Sequence, residues 1–402
     1  MSTQAQLPAR ADVVVIGGGI AGTSTAYWLA TETELSTVLI EKRAIASGST
    51  GDSSAILRHH YGNRPVYSRM AWWSHEFYRS FEDRTGQPLA HRVAPRVAFG
   101  TIGTESGDYA LDGYDVLRAE GIPVSRYDGD AIASEYPMLD VADCDVAISD
   151  DTAAFSDGAD AANGFAATAR AAGTTVATDT AVTAIETETS GGTDRVTAVS
   201  TDDGRIDCEH VVLTAGPWTS SLLSPLGIDI PLSVTREQVL LLEPTKAYLD
   251  RYPTILPTLS LPMEDWYARA DFSDNVLVAT HHTGGPVDPD DNQARSDEKA
   301  VLSLIDALIQ VVPDLDDAGL AGEYAGLYTS TPDRDFVLDT TPIEGLVVGC
   351  GFSGHGFKHG PAIGRILADL VLENESDRFD LGDFSLKRFA AEDVTDPGDV
   401  HL

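Results

Sequence analysis

The feature that most constrains this chain is a glycine motif near its N-terminus, between a short apolar run and a helix-forming stretch. Gly17, Gly19 and Gly22 have the spacing G-x-G-x-x-G, and Glu41 ends the next apolar run. The first glycine permits a tight turn, the second lets backbone N–H groups approach a pyrophosphate, and the third lets the helix pack closely. Glu41 would accept hydrogen bonds from ribose hydroxyls. The motif therefore predicts FAD or NAD, and it disfavours NADP; the alternative is a glycine-rich turn without a nucleotide.

The rest of the chain predicts two interleaved lobes. Residues 12–16, 21–30 and 37–40 predict strand, helix and strand, and the continuous Val and Ile of the first strand are expected when helices cover both faces of a parallel sheet. Short strand-like segments dominate 232–280 and indicate an antiparallel sheet. A strand and a helix over 345–372 return to the first pattern. The predicted boundaries are 1–90, 146–222 and 326–402 for the nucleotide-binding lobe, and 91–145 and 223–325 for the substrate-binding lobe.

The charge of the chain excludes several classes of function. It has 63 acidic and 27 basic residues and a net charge of -36, so nucleic acid and anionic membrane surfaces would repel it. Such an excess of acidic residues is typical of halophilic proteins, where it keeps the protein soluble in a very salty cytoplasm. The three cysteines match no metal-binding spacing, and the sequence contains neither a signal peptide nor a stretch of about 18 apolar residues. We expect a soluble cytoplasmic protein without membrane insertion and without a metal.

A family resemblance narrows the choice of cofactor. The segments that carry it are VVVIGGGIAG at the start, ASGSTGDSSAILRHHYG after Glu41, VVLTAGPWTSSLL at 211–223, AGLYTSTPD at 325–333 and GCGFSGHGFKHGPAIGRILADL at 349–370. Together they resemble the FAD-dependent amine oxidoreductases, which include sarcosine oxidase, dimethylglycine dehydrogenase, glycine oxidase and D-amino acid oxidase. The resemblance is strongest to the branch of the sarcosine oxidase β-subunit. It implies an α/β and α+β fold, with a Rossmann-like FAD-binding lobe of the glutathione-reductase type interleaved with an antiparallel-sheet substrate lobe.

The resemblance also assigns residues to the cofactor. The glycine motif would hold the ADP half of FAD, residues 47–54 would run beside the flavin, and the loop 351–358 would surround its pyrimidine end. For Trp218, core packing next to Leu222 is the alternative. The residues expected to bind FAD are Gly17, Gly19, Ile20, Ala21, Gly22, Glu41, Lys42, Ser49, Thr50, Ser53, Ser54, Val182, Ala215, Gly216, Trp218, Gly351, Gly354, His355, Gly356 and Lys358.

Two cations form the predicted substrate site. Arg58 and Lys358 match positions that bind the substrate carboxylate in sarcosine oxidases of the monomeric type, where they would hold the neighbouring C–H near flavin N5. His355, Tyr267 and Tyr328 are the other expected catalytic or pocket residues. The alternatives are an ion pair elsewhere for Arg58, and structural roles for His355 and for the two tyrosines.

Three departures from the family pattern bear on the chemistry. Covalent flavin links in the family use a Cys at the position of Gly326 or a His near Asp52, so we expect FAD to be bound non-covalently. The family Lys that assists oxygen activation falls at Val278 in an ungapped match. Without that cation, oxygen reduction loses electrostatic help, which favours a dehydrogenase over an oxidase.

The predicted function is FAD-dependent oxidation of the C–N bond of a small secondary or N-methylated amino acid, such as sarcosine, dimethylglycine or proline. Hydride would pass to flavin N5, and the imine would be hydrolysed. A D-amino acid or 2-hydroxy acid dehydrogenase is one alternative, because the same cations would hold any α-substituted carboxylate. A non-catalytic flavin-binding subunit of a larger complex is another. The expected partners are a small carboxylate-bearing amine and either O2 or an unidentified electron acceptor, with partner subunits left open.

The net charge makes a prediction about salt. We expect the melting temperature to rise between dilute buffer and about 1 M KCl, because counter-ions screen the repulsion among surface carboxylates. Thermal denaturation followed by circular dichroism in the two buffers measures this. An unchanged melting temperature would contradict this interpretation of the acidic surface.

Overall fold

Runs of β-branched residues form the first two strands, VVVI and TVLI, and the strands of the described residues lie in four sheets. The computed structural model describes residues 7–260, 265–282, 284–290 and 298–389. In that part of the chain the strands are β1 Val13–Ile16, β2 Thr37–Ile40, β3 Ile56–Leu57, β4 His91–Val93, β5 Arg96–Gly100, β6 Val124–Asp128, β7 Val146–Asp150, β8 Ala154–Ser156, β9 Thr175–Ala177, β10 Val182–Ser190, β11 Thr193–Thr201, β12 Gly204–Asp207, β13 His210–Leu213, β14 Ser233–Glu243, β15 Thr258–Ser260, β16 Trp266–Ala270, β17 Val276–Thr280, β18 Gly319–Ser330, β19 Val337–Thr340 and β20 Leu346–Cys350.

Helices cover the sheets and connect their strands. No helix within the described ranges is both long enough and apolar enough to cross a membrane. The α-helices are α1 Ile20–Glu32, α2 Pro65–Arg79, α3 Phe81–Thr85, α4 Glu105–Ala119, α5 Asp130–Glu135, α6 Gly158–Ala171, α7 Thr219–Leu223, α8 Lys246–Arg251, α9 Glu298–Val311 and α10 Gly360–Glu373.

The predicted nucleotide-binding lobe contains a six-stranded sheet in the order β19-β20-β13-β1-β2-β9. Its strands are parallel except β19, which pairs antiparallel with β20. Because parallel strands end on the same side of a sheet, the residues that follow β1, β2, β13 and β20 meet along one edge. That edge carries the candidate site.

Helices cover one face of this sheet and a second sheet covers the other, which corrects the expectation of helices on both faces. Val13 and Val15 belong to a core that includes residues of α1, α6 and α10. Val14 and Ile16 pack instead with Ile185 and its neighbours in the antiparallel sheet β10-β11-β12. A continuous apolar strand indicates only that both faces are buried, so it could not distinguish a helical cover from a sheet.

Glycines allow the first and last helices to approach each other closely. A Cβ atom on Gly360 or Gly364 of α10 would overlap Ile20 or Ser24 of α1. The Ser24 hydroxyl donates a hydrogen bond to the carbonyl of Gly360 at 2.8 Å. The loop that precedes α10 is thereby fixed beside the N-terminal glycine motif.

The second large sheet has eight strands in the order β18-β14-β17-β16-β15-β5-β7-β6. Its neighbouring strands are antiparallel except β15 and β5. Leu304 and Leu308 of α9 pack against one face, where they meet Leu240 and Val278. Tyr267 lies in a separate cluster on the other face. The sheet thus has a core face and a face available for a site.

Two strands bear on the predicted lobe boundaries. Strand β7 lies in the eight-stranded sheet, although the sequence prediction assigns 146–222 to the nucleotide-binding lobe. Strand β18 continues past 325, the predicted end of a substrate-lobe segment. The boundaries otherwise stay a prediction.

Several elements differ from their predicted extent. The spacing of aromatic and polar residues over 69–84 predicts a helix, whereas the structure has two helices there, α2 and α3, which meet at Ser80. Helix α4 has no predicted counterpart, because its two glycines disfavour a helix. One of them, Gly113, lies against His60, whose ring a Cβ atom would overlap. Tertiary packing therefore overrides local propensity here.

Replacement of Gly22 by Ala tests the close approach of α1 to the first turn. The added methyl group would overlap the carbonyl oxygen of Gly17 and lie 2.7 Å from the Thr214 hydroxyl. We expect the free energy of unfolding, measured with urea, to fall by about 1–3 kcal/mol. Gly319→Ala is the control, because a Cβ atom there has no neighbour within 4 Å. Equal stability of the two variants would contradict the packing role of Gly22.

Candidate active site

A large cavity lies where the carboxyl ends of the parallel strands face the eight-stranded sheet. It is lined by the first βαβ unit, by strands β14, β16 and β18, and by the loop before α10. The predicted site residues that line it are Gly17, Gly19, Ile20, Ala21, Glu41, Lys42, Ser49, Thr50, Ser53, Ser54, Val182, Ala215, Gly216, Trp218, Tyr267, Tyr328, Gly351, Gly354 and Gly356.

Four predicted site residues lie outside the cavity lining. Gly22 packs against Gly17 one helical turn behind the cavity. Arg58, His355 and Lys358 lie together in a buried polar cluster, and the C-terminal loop connects this cluster to the cavity. The structure thus brings the predicted residues into two adjoining groups.

The first turn fixes an acidic residue at the cavity wall. Gly17 has φ +112°, a left-handed conformation that favours glycine. The Glu41 carboxylate accepts hydrogen bonds from the backbone N–H groups of Gly18 at 2.7 Å and Arg43 at 2.9 Å. Since a carboxylate oxygen can accept more than one hydrogen bond, Glu41 retains capacity for ribose hydroxyls.

The start of α1 suits an anion. Its N-cap Gly19 has no side chain to close the end of the helix, and its first turn holds no acidic residue. The Thr50 hydroxyl accepts from the N–H of Ile20 at 3.0 Å. Ser49 Oγ is buried and has no hydrogen-bond partner among the described residues. A free helix N-terminus and an unsatisfied hydroxyl on one cavity wall fit the pyrophosphate of a dinucleotide.

Trp218 is held at the rim of the cavity by charged neighbours. Lys42 Nζ lies 3.3 Å from the centre of its indole ring. Asp290 accepts a hydrogen bond from the indole N–H at 2.9 Å and pairs with Lys42 at 3.2 Å. Trp218 is half-buried, so its setting differs from that of a core tryptophan.

Arg58 and Lys358 are two buried cations, only 5% and 7% exposed. The Arg58 guanidinium lies 4.1 Å from the centre of the Tyr61 ring and donates to the carbonyl of His60. Burial, together with the positive charge of Arg58, holds the pKa of Lys358 well below its ordinary value. Because a bound anion would offset both effects, the pair is a candidate carboxylate site.

Neutral groups surround these cations. The Tyr61 hydroxyl lies 2.9 Å from His359 Nε2 and 3.3 Å from His355 Nδ1. Burial, and then the charge of Lys358, lowers the pKa of both histidines well below the ordinary value. Burial also raises the pKa of Tyr61. From the sequence alone, Tyr61, which follows Arg58 closely, is a weaker candidate for the site, and the sequence prediction omitted His359, which follows Lys358.

Two predicted tyrosines meet in the cavity. Tyr267 and Tyr328 lie close enough for each side chain to influence the pKa of the other. A Cβ atom on Gly354 would overlap the Tyr328 ring, so the C-terminal loop touches this residue. His281 Nδ1 lies 3.4 Å from the Tyr328 hydroxyl. The predicted site lacked His281, because only the sheet, in which β17 and β18 flank β14, brings the end of β17 near Tyr328.

A buried carboxylate also lines the cavity. Glu237 is 2% exposed and accepts hydrogen bonds from the hydroxyls of Thr235 at 2.9 Å and Thr280 at 2.8 Å. Burial mainly, with the charges of Tyr267 and Glu237, raises the pKa of Tyr328. In a chain with 63 acidic residues, nothing in the sequence distinguished this one.

The two positions at which the sequence comparison expects covalent flavin links lie side by side. A Cβ atom on Gly326 would be 3.2 Å from Cβ of Asp52, and both residues line the cavity. Burial raises the pKa of Asp52 to about 6. Glycine and aspartate offer neither a thiol nor an imidazole for such a link.

Val278 faces away from the cavity, which corrects the ungapped match. It packs with Leu240 in the core beneath α9. Leu277 and Ala279 pack with Tyr267 on the opposite face. A slip of one residue changes the face of a strand, so the cavity-side residues of β17 are Leu277 and Ala279. Both are apolar, and the strand VLVAT contains no lysine.

A chain of histidines supports the segment that carries Arg58. The Asp150 carboxylate binds the backbone N–H of His59 at 2.6 Å and its Nδ1 at 2.8 Å. His59 Nε2 lies 2.8 Å from His75 Nδ1, and His75 Nε2 lies 3.0 Å from His91 Nε2. Burial, followed by the charges of His59 and His91, lowers the pKa of His75 to about 3. These bonds fix the backbone next to Arg58.

Comparison with known proteins agrees with this geometry. A family model described as DAO: FAD dependent oxidoreductase matches residues 12–370. The peroxisomal sarcosine oxidase of Homo sapiens is 27% identical over 388 residues, which are 94% of this chain and 96% of that protein. The sarcosine oxidase subunit beta of Rhodobacter capsulatus is 26% identical over 392 residues, 94% and 89% of the two chains.

A solved structure supports the fold. The L-proline dehydrogenase from P. horikoshii has a TM-score of 0.85 at 23% identity, with 96% of this chain and 99% of that chain covered. The predicted fold class, α/β and α+β with a Rossmann-like FAD-binding lobe and an antiparallel-sheet lobe, is confirmed.

The lowered pKa of His75 predicts the sign of a pH effect on stability. The unfolded chain takes up a proton near pH 6.5, whereas folded His75 does so only near pH 3. Stability from this residue is therefore complete above about pH 6.5 and falls as the pH drops toward 3, by about 1.4 kcal/mol per pH unit. In urea denaturation between pH 7 and 4, His75→Asn should reduce the slope of unfolding free energy against pH. His210→Asn, at a half-buried site, is the control; equal slopes in wild type and His75→Asn would contradict the assignment.

Proposed function

Because the chain belongs to the DAO family of FAD dependent oxidoreductases, we propose that it oxidises the C–N bond of a small secondary or N-methylated amino acid. Sarcosine, dimethylglycine and proline are the proposed substrates, and the imine product would be hydrolysed in water. FAD, when bound, supplies the acceptor for the hydride at flavin N5. The chain itself supplies the binding site, the orientation and the electrostatics.

The observation that carries this proposal is the pair of buried cations beside the cavity. Burial and mutual repulsion make the two positive charges of Arg58 and Lys358 unfavourable. A substrate carboxylate would offset both effects. A fixed carboxylate also fixes the neighbouring Cα–H, so that positioning contributes much of the rate acceleration. The neutral His355 and His359 leave the positive charge on the two cations.

The cavity wall opposite the proposed position of the nucleotide would orient the rest of the substrate. Tyr267 and Tyr328 border the space in which the substrate would lie. Gly354 approaches the Tyr328 ring, so the C-terminal loop and strand β18 enclose that space from two sides. Such enclosure limits the substrate to a small side chain and excludes water from the reacting carbon.

We propose that FAD is held non-covalently. The residues that fit it are the open N-terminus of α1, the Glu41 carboxylate and the Ser49 hydroxyl. Gly326 and Asp52 stand where a thiol or an imidazole would be needed for a covalent bond. Denaturation with acid should therefore release the flavin from the protein.

We also propose that the electron acceptor is a molecule other than O2. The cavity face of β17 carries Leu277 and Ala279, which give no positive charge to help oxygen reduction. One relative is named as a subunit beta, which supports a partner subunit. Named relatives that act as sarcosine oxidases support the amine substrate.

Anaerobic mixing of the yellow holoprotein with candidate substrates tests the function. We expect sarcosine, dimethylglycine or proline to bleach the visible flavin absorbance, because hydride transfer reduces the flavin. D-alanine and lactate represent the alternative substrates. Formaldehyde as product supports N-demethylation, whereas ammonia supports a primary amine. No bleaching with any amino acid would contradict a catalytic role.

The same titration tests the carboxylate site. Arg58→Ala should weaken substrate binding by roughly 2 to 5 kcal/mol, because it removes one partner of a buried charge pair. Arg170→Ala is the matched control, since Arg170 is exposed near the end of α6. An affinity unchanged by Arg58→Ala would remove this residue from the site.

A further inference from the structure

Building on the proposed function, we infer that Glu237 selects an amino acid over a hydroxy acid, by binding the substrate's ammonium group and accepting one of its protons. The carboxylate of Glu237 lines the cavity and is 2% exposed. With this assignment, Glu237 binds the substrate nitrogen, while Arg58 and Lys358 bind the substrate carboxylate.

Strand alternation directs Glu237 to the cavity. Along β14, Leu240 and Leu242 pack in the core beneath α9. Val239 packs with Tyr267 on the opposite face and lines the cavity. Since side chains two residues apart share a face, Glu237 lies on the face of Val239.

Two hydroxyl groups hold this carboxylate in a defined orientation. The Thr235 and Thr280 hydroxyls donate to it at 2.9 and 2.8 Å. The Thr280 oxygen accepts a hydrogen bond from the backbone N–H of Gln238 at 2.8 Å, so its own proton points to Glu237. A carboxylate held in this way can form a charge-assisted hydrogen bond with a substrate ammonium group.

Charges of both signs act on the groups around Tyr328. Burial mainly raises the pKa of Tyr328, and the charge of Glu237 is one of the smaller causes. His281 Nδ1 lies 3.4 Å from the Tyr328 hydroxyl. Burial mainly lowers the pKa of His281, and the charges of His282 and Arg58 add to this effect. A zwitterionic amino acid fits a site with charges of both signs, with its carboxylate toward the two cations and its nitrogen toward Glu237.

The carboxylate of Glu237 explains how the site distinguishes nitrogen from oxygen. An ammonium group can compensate the buried charge of Glu237, whereas a hydroxyl or ether of the same shape cannot. Loss of hydride from the neighbouring carbon requires a neutral amine. In the proposed step one N–H bond breaks, its electron pair stays on nitrogen, and the proton forms an O–H bond on Glu237. The proton returns to water after the product leaves.

Matched ligands test this inference. Sarcosine and methoxyacetate have the same shape, as do proline and tetrahydrofuran-2-carboxylate, but only the first of each pair carries an amine. Kd is measured anaerobically from the perturbation of the flavin spectrum that precedes any bleaching. In Glu237→Gln we expect Kd for sarcosine and proline to rise on the order of 10- to 100-fold. Kd for the two oxygen analogues should change less than about twofold, which corresponds to less than about 0.4 kcal/mol.

The control is Glu243→Gln, an exposed glutamate at the end of the same strand, for which all Kd values should match wild type. Equal changes for amines and oxygen analogues in Glu237→Gln, or no change at all, would overturn the inference. If that variant loses FAD, Glu237→Asp takes its place. Its charge is drawn back by one methylene, so the amines alone should bind more weakly, and an equal change for both ligand types would overturn the inference.

The readouts separate this inference from the proposed function. Amine binding that depends on Glu237, without bleaching by any amino acid, would overturn the function and support the inference. Bleaching with amine affinity unaffected by Glu237→Gln would do the reverse. A wild-type protein that binds neither sarcosine nor proline would overturn both.

Discussion

The site depends on a close contact between the two ends of the chain. Helix α10 can lie against α1 because Gly360 and Gly364 have no side chains to separate them. Two hydrogen bonds fix the contact, from the Ser24 hydroxyl to Gly360 and from the Trp28 indole to the carbonyl of Pro361. The loop before α10 must then lie beside the glycine turn before α1. The glycine turn and this loop, which are far apart in the sequence, thereby line one cavity.

This contact also places the acidic Glu41 and the two buried cations in different parts of the site. The start of α1 and Glu41 face the nucleotide end, while the loop before α10 carries Lys358 toward Arg58. Burial keeps His355 and His359 neutral, so the positive charge of this cluster is carried by Arg58 and Lys358. The very acidic surface, at a net charge of -36, makes a buried positive pair the more distinctive.

Features that depend on local spacing could be predicted from the sequence. The glycine motif, β1, β2 and α10 are near their predicted positions, and most predicted cofactor residues line the cavity. Features that depend on strand pairing could not. His281 reaches Tyr328 only because β17 and β18 both flank β14. Val278, to which the ungapped match assigns the family Lys, faces the core, because such a match does not fix strand register. Local periodicity also could not predict that the sheet β10-β11-β12 covers one face of β1.

A crystal structure of the yellow holoprotein with tetrahydrofuran-2-carboxylate would test the central claim most directly. This ligand has the shape of proline and no amine to oxidise. We expect FAD along the cavity, with its pyrophosphate at the start of α1, and the ligand carboxylate between Arg58 and Lys358. A carboxylate bound away from both cations would contradict the account of the site.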